Sequence, residues 1–369
     1  MRKIKQSHKA LLAGFVSICM VGCVGTGDQK GTGKSTSDIA TQVDCYLKGA
    51  ESAGMSGAVL LAKDGEIILR KGYGMADREQ KKSVLLETGF DIGSVTKQFT
   101  AAAILKLEME GKLSVNDPMN KYLDNFPSDK AKIMIHHLLT HTSGIRGGFG
   151  GDYNDLVTRD ELVERVRRSD LLWEPGTKYR YSNAGFSMLG AIVEHVSGQS
   201  YEEYVVENLL KPAGVMKTGY LIPGWDKKDL AVGYRNDKRW GTPLDGEWLP
   251  DGPGWNLRTN GGFISTVDDM FLWIEALKGE KILSKEAKAK LFTPHVQRSD
   301  NSSYGYGWGI RETPRGTRLI SHGGGTIAFN ADYRWWIDED IVLIMFTNNN
   351  KLRAGSFTRR ISEIIFGIE

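Results

Sequence analysis

The stretch GAVLLAKDGEIILRKG, residues 57–72, decides the architecture. Two apolar, β-prone runs, Gly57 to Lys63 and Glu66 to Gly72, flank Asp64-Gly65. That dipeptide supplies the two positive-φ positions of a type I′ turn, so the stretch reads as a β-hairpin. Strand-like runs return at the far end of the chain, at Tyr304 to Arg311, Thr317 to Ser321, Thr326 to Ile337 and Ile341 to Thr347, and Leu352 to Phe366 reads as a closing helix. Between the two ends the period is helical. Ser94 to Glu110 carries Phe99, Ala102, Ala103 and Leu107 on one face, with Gly111 as its stop. Capping boxes start helices at Thr158 with Glu161 and at Ser200 with Glu203. Phe186, Leu189, Val193 and Val196 mark a helix closed by Gly198, and Asp268 to Lys278 is a further one. Strands at both ends imply an α+β fold in which the hairpin and the C-terminal strands share a mostly antiparallel sheet. The middle, about 94–300, is then an inserted all-helical subdomain, and 40–369 is one unit with a cleft at the junction.

The segment before this unit has a different logic. Arg2, Lys3, Lys5 and Lys9 precede an apolar run, Ala10 to Val24, too short to span a bilayer, so 1–22 reads as a secretory signal. Met20-Val21-Gly22-Cys23 is similar to a bacterial lipobox, with Met in place of the usual Leu, and makes Cys23 the candidate for lipidation. Ordinary cleavage nearby is the alternative. Residues 23–39 are Gly-rich and polar at their start and read as a flexible tether, placing the folded unit outside the cytoplasm of a bacterium on a lipid anchor in the membrane. Removal of the signal takes the 48 Lys and Arg down to 44, one fewer than the 45 carboxylates. Such a balance, without a basic cluster, excludes a nucleic-acid partner. The three cysteines form neither a disulfide framework nor a zinc pattern, and Cys45 reads as a thiol without a catalytic duty. Gly33-Lys34-Ser35 is no phosphate loop, because no strand precedes it and Asp28 stands where the first glycine belongs. His136, His137 and His141 lack an interleaved carboxylate and read as packing or hydrogen-bonding groups; no metal or cofactor is called for.

Three local patterns can carry chemistry. Ser94-Val95-Thr96-Lys97 puts a hydroxyl and an amine on one face of a helical first turn, where the helix N-terminus favours a neutral amine and a developing oxyanion. Taken alone it leaves open that Ser94 caps the helix and Lys97 is solvated. Tyr181-Ser182-Asn183 follows the turn Glu174-Pro175-Gly176; a tyrosine held partly ionised beside a lysine is a proton carrier, and Asn183 offers a donor and an acceptor to a substrate amide. The alternative is a packed tyrosine, as Tyr234-Arg235-Asn236 shows the same spacing in a polar stretch. His322-Gly323-Gly324-Gly325 leaves a bare strand edge where a substrate backbone can approach, or is a simple glycine turn.

In this order the three resemble the motifs Ser-x-x-Lys, Tyr-x-Asn and Lys/His-x-Gly of the serine β-lactamase and penicillin-binding-protein superfamily. His137 to Gly144, Tyr181 to Tyr220, Gly261 to Thr266 and Tyr306 to Gly309 are also similar to stretches of its class C β-lactamase, D-alanyl-D-alanine carboxypeptidase and esterase branch. The resemblance implies Ser94 as acylated nucleophile, Lys97 as its base, and Tyr181 as proton shuttle and activator of the deacylating water. It implies Asn183, His322 and Gly324 as substrate-binding residues and the N–H groups of Ser94 and Gly325 as an oxyanion hole. No Glu-x-x-Leu-Asn segment is present, so no dedicated acidic deacylation base is indicated. His322 stands where β-lactamases of this branch usually carry Lys; a histidine, only about half charged near pH 6.5, looks more like the D-peptidases and some esterases of the superfamily than its penicillin hydrolases. The expected activity is therefore serine hydrolysis of D-amino-acid peptides or related amides and esters, peptidoglycan precursors included. The alternative from another class is a non-catalytic, cell-wall-peptide-binding lipoprotein.

Overall fold

The computed structural model describes residues 35–149 and 155–368. The signal segment 1–22, Cys23 and most of the tether lie outside the described residues. Residues 36–39, expected as tether, are helical: Thr36–Ser52 is a helix, α1, whose N-cap Ser35 accepts the Asp38 N–H and whose Ile39, Val43, Leu47 and Ala50 are buried.

The hairpin is present, with Asp64 and Gly65 at φ of 53° and 77°. Its strands, β1 (Gly57–Lys63) and β2 (Glu66–Tyr73), join β3 (Val296–Ser299), β4 (Ser302–Tyr304), β5 (Gly309–Glu312), β6 (Arg318–Gly325), β7 (Asn330–Trp336) and β8 (Ile341–Thr347). These eight form one sheet in the order β3-β4-β5-β6-β7-β8-β1-β2, antiparallel throughout. Gly57 pairs with Thr347 and Lys63 with Ile341, so the first strand lies beside the last. The strand expected at Tyr304 to Arg311 is two strands, because Gly305 to Trp308 turns between them. The strand expected from Thr326 begins only at Asn330.

β1 is a continuous apolar run because both its faces are covered. Ala58, Leu60 and Ala62 enter one core and Val59 and Leu61 the other. Each buried leucine contributes roughly 1.5–3 kcal/mol. Edge strand β2 is more exposed. α1 and the closing helix α6 (Ala354–Phe366) cover one face of the sheet. The other carries α2 (Lys97–Met109) and α5 (Val267–Lys278), with α3 (Arg159–Arg168) and α4 (Asn183–Ser197) further out. Both capping boxes form, and Gly198 closes α4 in the left-handed region.

Two expectations need correction. The insertion is not all-helical: Phe90–Asp91, Ile264–Ser265 and Thr218–Gly219 make a small sheet, Gly233–Arg235 pairs with Lys238–Gly241, and β3 already belongs to the main sheet. Nor is α2 one-sided. From Lys97 to Leu105 every residue is buried, since the helix packs against α4 and against the helical segments Tyr201–Val205, Val206–Leu210 and Lys285–Leu291, and a helix enclosed on all sides shows no polar face.

Candidate active site

The nucleophile candidate lies on a tight turn ahead of α2. Gly93–Thr96 is a 3₁₀ turn, and Thr96 Oγ1 donates to Gly93 O at 2.8 Å while accepting the Phe263 N–H at 3.1 Å. Gly93 sits at φ 51°, and a Cβ there would lie 2.7 Å from Gly325 N. A Cβ on Gly324 would lie 1.9 Å from Ile92 O. Glycine at both positions thus lets the end of β6 press its backbone against the turn that carries Ser94. β5 pairs with β6 only as far as Ser321, so beyond it the β5-side edge of β6 is bare, while the other edge is held by β7. The glycines are part of the strand, not a turn.

Lys97 is fully buried, and among the described residues no carboxylate pairs with it. Its Nζ lies 2.8 Å from Asn183 Oδ1, 2.5 Å from Asn260 O and 3.2 Å from Ser94 Oγ. Burial drives its pKa well below the usual ammonium range. A neutral amine has two hydrogens, which the two carbonyl oxygens take. With both hydrogens so placed, a neutral amine would have its lone pair left for the Ser94 hydroxyl at 3.2 Å. The Tyr181 ring lies 4.8 Å from Nζ, and its hydroxyl interacts with Ser94.

Tyr181 differs from expectation. Burial raises the phenol pKa, and the Ser94 hydrogen bond only partly offsets that, so the group is a neutral O–H rather than partly ionised. Asn183 opens α4, whose N-cap Ser182 accepts the Gly185 N–H and donates to Arg146 O. Its oxygen is committed to Lys97, which leaves the amide N–H groups, not a donor and an acceptor, for a substrate. Tyr234 is the structural member of the two similar spacings: its hydroxyl accepts the Arg78 N–H and donates to Glu79.

His322 is not a cation that could grip a carboxylate. It is 8% exposed, its Nδ1–H donates to Gly323 O at 2.8 Å, and its Nε2 accepts the hydroxyl of buried Tyr304 at 3.0 Å. Burial pushes its pKa down to about 3. Both ring nitrogens are occupied, so the imidazole braces β6 from inside. His141 plays a similar packing part. Its ring lies 4.3 Å from that of Tyr181, its Nδ1 accepts the Ser182 N–H at 3.1 Å, and burial drives its pKa well below the usual histidine range. His136 hydrogen-bonds Tyr306 and meets His295 edge to face, and among the described residues no group of three or more His, Cys, Asp or Glu is placed to hold a metal ion.

Sequence reasoning missed Asn260 and Tyr304. Asn260 acts through a backbone carbonyl, which leaves no side-chain signature, although the nearby Gly261-Gly262 marks a close approach. The cleft over Ser94 encloses about 450 Å³ and is lined by Asn183, Asn260, Gly325, Phe149, Leu162 and Arg165, among others.

The chain is similar to known proteins in sequence and in fold. The family model described as "Beta-lactamase" matches residues 43–362. PbpX of Bacillus subtilis (strain 168), described as a penicillin-binding protein, is 31% identical over 331 residues, 89% of this chain and 79% of that one. A penicillin-binding protein from Bacillus halodurans superposes with a TM-score of 0.75 at 29% identity, covering 87% of this chain and 99% of the other. The octameric penicillin-binding-protein homologue from Pyrococcus abyssi gives 0.76 at 28% identity, over 89% and 77%.

Proposed function

The chain belongs to the β-lactamase family and is a serine hydrolase of it, and we propose that it cleaves D-amino-acid peptides or related amides and esters through an acyl-Ser94 intermediate. The observation that carries this reading is the buried Lys97, whose Nζ lies 3.2 Å from Ser94 Oγ and which meets no carboxylate among the described residues. Lys97 takes the Ser94 proton as Oγ attacks the carbonyl carbon, and the Ser94 and Gly325 N–H groups hold the oxyanion. Tyr181 O–H protonates the leaving nitrogen or oxygen and regains a proton from Lys97. In deacylation, water loses its proton through the same pair, attacks the ester, and Ser94 leaves as a hydroxyl. Asn183 N–H groups and the bare edge of β6 orient the substrate.

A fluorescent penicillin or phosphonate tests this reading. Covalent labelling lost in folded Ser94→Ala supports it, and undiminished labelling refutes it. Short-chain ester hydrolysis is the second reading, favoured by the neutral His322, which supplies no charge for a peptide carboxylate. Rates on nitrocefin, a D-Ala-D-Ala tripeptide and p-nitrophenyl acetate separate these activities. Turnover of none of the three would favour a binding lipoprotein anchored through Cys23.

A further inference from the structure

A second cavity, about 730 Å³, adjoins the first at Gly325, Thr326 and Ile327, where β6 ends. It lies on the α6 side of the sheet. Its lining is dominated by guanidinium groups: Arg235 from the Gly233–Arg235 strand, Arg334 from β7, and Arg353 and Arg359 from the start of α6. Arg334 is satisfied internally by Asp332 at 2.8 Å, and the same carboxylate is also bound by the Thr358 hydroxyl. The cavity's one carboxylate is therefore already neutralised. Arg235, Arg353 and Arg359 form no ion pair among the described residues, whereas Arg360, next to Arg359 in the chain, meets Glu363. Asp237, beside Arg235 in the chain, is held by Lys351 at 2.5 Å. The N-terminus of the 13-residue α6 opens into the same space, with Gly355 and Ser356 in the wall and no side-chain cap from Arg353.

Three exposed guanidinium groups with no ion pair among the described residues, lining one cavity together with a helix N-terminus that lacks a side-chain cap, are the recognition elements of a phosphate. Arginine forks match its oxygens in pairs, and first-turn N–H groups add donors and a positive potential. A single peptide carboxylate would leave most of this charge unanswered. We propose that this cavity is a phosphate-binding subsite of the Ser94 cleft. The phosphate is carried either by the substrate, spanning the Gly325–Ile327 corner with its scissile group at Ser94, or by a separate small anion. The substrate arm rests on the acyl-serine reading, and the binding arm does not.

The binding arm titrates inorganic phosphate into the full chain at low salt, using wild type, Ser94→Ala, Arg359→Ala and the double variant Arg235→Ala/Arg359→Ala, each checked for an unchanged thermal midpoint. Wild type and Ser94→Ala should bind alike and the double variant at least tenfold more weakly. Absence of phosphate binding in wild type, or equal binding in all four, overturns the proposal. The substrate arm compares KM for O-acetylglycerol with that for its 3-phosphate. A KM at least tenfold lower for the phosphate ester, collapsing toward equality in the double variant, places the phosphate on the substrate. Equal KM values beside arginine-dependent phosphate binding assign the site to a separate anion. Loss of covalent labelling chemistry with phosphate binding intact would defeat the acyl-serine reading alone.

Discussion

Lys97→Met tests the charge state on which the chemistry depends. The native amine is neutral because burial depresses its pKa, while in the unfolded chain it titrates near ~10.4. Between the depressed native value and ~10.4 the unfolded chain therefore holds one proton that the native protein lacks. Stability in that window rises with pH, by about 1.4 kcal/mol per unit for one proton. Below the native pKa, or above ~10.4, the contribution is flat. Methionine is similar in length and has no proton to lose. It leaves Asn183 Oδ1 and Asn260 O without the lysine donor, an offset that does not vary with pH. Urea unfolding at constant ionic strength from pH 8 to pH 10 should thus show wild type gaining stability on Lys97→Met as pH rises, with a slope of at most about 1.4 kcal/mol per pH unit. Other titrating groups are common to both proteins and drop out of the difference. Two stability curves that run parallel across this range would mean that native Lys97 keeps its proton, and the base role would fall with it. The same variant should lose about 10²–10⁴-fold in kcat/KM.

Replacing Asn183 by Asp sets a carboxylate where a 2.8 Å amide oxygen now stands, which raises the Lys97 pKa; the rising limb of kcat/KM should move to higher pH, and an unmoved limb would count against the pair. Because His322 is neutral above about pH 4, no histidine limb should appear between pH 5 and 8, and a decline centred near 6.5 that vanishes in His322→Gln would contradict this. Tyr304→Phe leaves His322 Nε2 a buried acceptor without a donor and should cost about 1–3 kcal/mol in urea unfolding; no loss would mean the bond is idle. Gly324→Ala forces β6 away from Ile92 O and should lower kcat on p-nitrophenyl acetate by about 10²-fold or more, whereas wild-type kcat would show that the close approach is dispensable.

The parts of the molecule legible in the sequence are those encoded locally. Asp64-Gly65, the two capping boxes, Gly198 and the apolar run of β8 are each specified within a few residues, and each is found where expected. Ser94 and Lys97 were placed on one turn by spacing alone. What sequence could not supply was environment. The protonation of His322 and of Tyr181 is set first by burial, which depends on what packs around each ring: Tyr304, 18 residues before His322 on another strand, bonds its Nε2, and His141 lies 4.3 Å from the Tyr181 ring. α1 went unread because Ile39, Val43, Leu47 and Ala50 make a narrow stripe in a polar segment, visible only when the sheet face it covers is known. The acceptor at Asn260 is a main-chain atom, and main-chain atoms are the same in every residue.

The pairing of β1 with β8 joins positions about 290 residues apart, and β8 is the strand through which β1 is tied to β7 and β6. Contacts so distant in sequence raise the contact order and make closure of the sheet a late, slow event. A chain emerging from the ribosome can form the hairpin and wind the helices, but the glycine edge at 322–325 is not fixed against the Ser94 turn until β7 and β8 have followed it out. Reactivity at Ser94 is therefore withheld from every incomplete chain, and truncation after residue 329 should yield a species that no acylating probe can label.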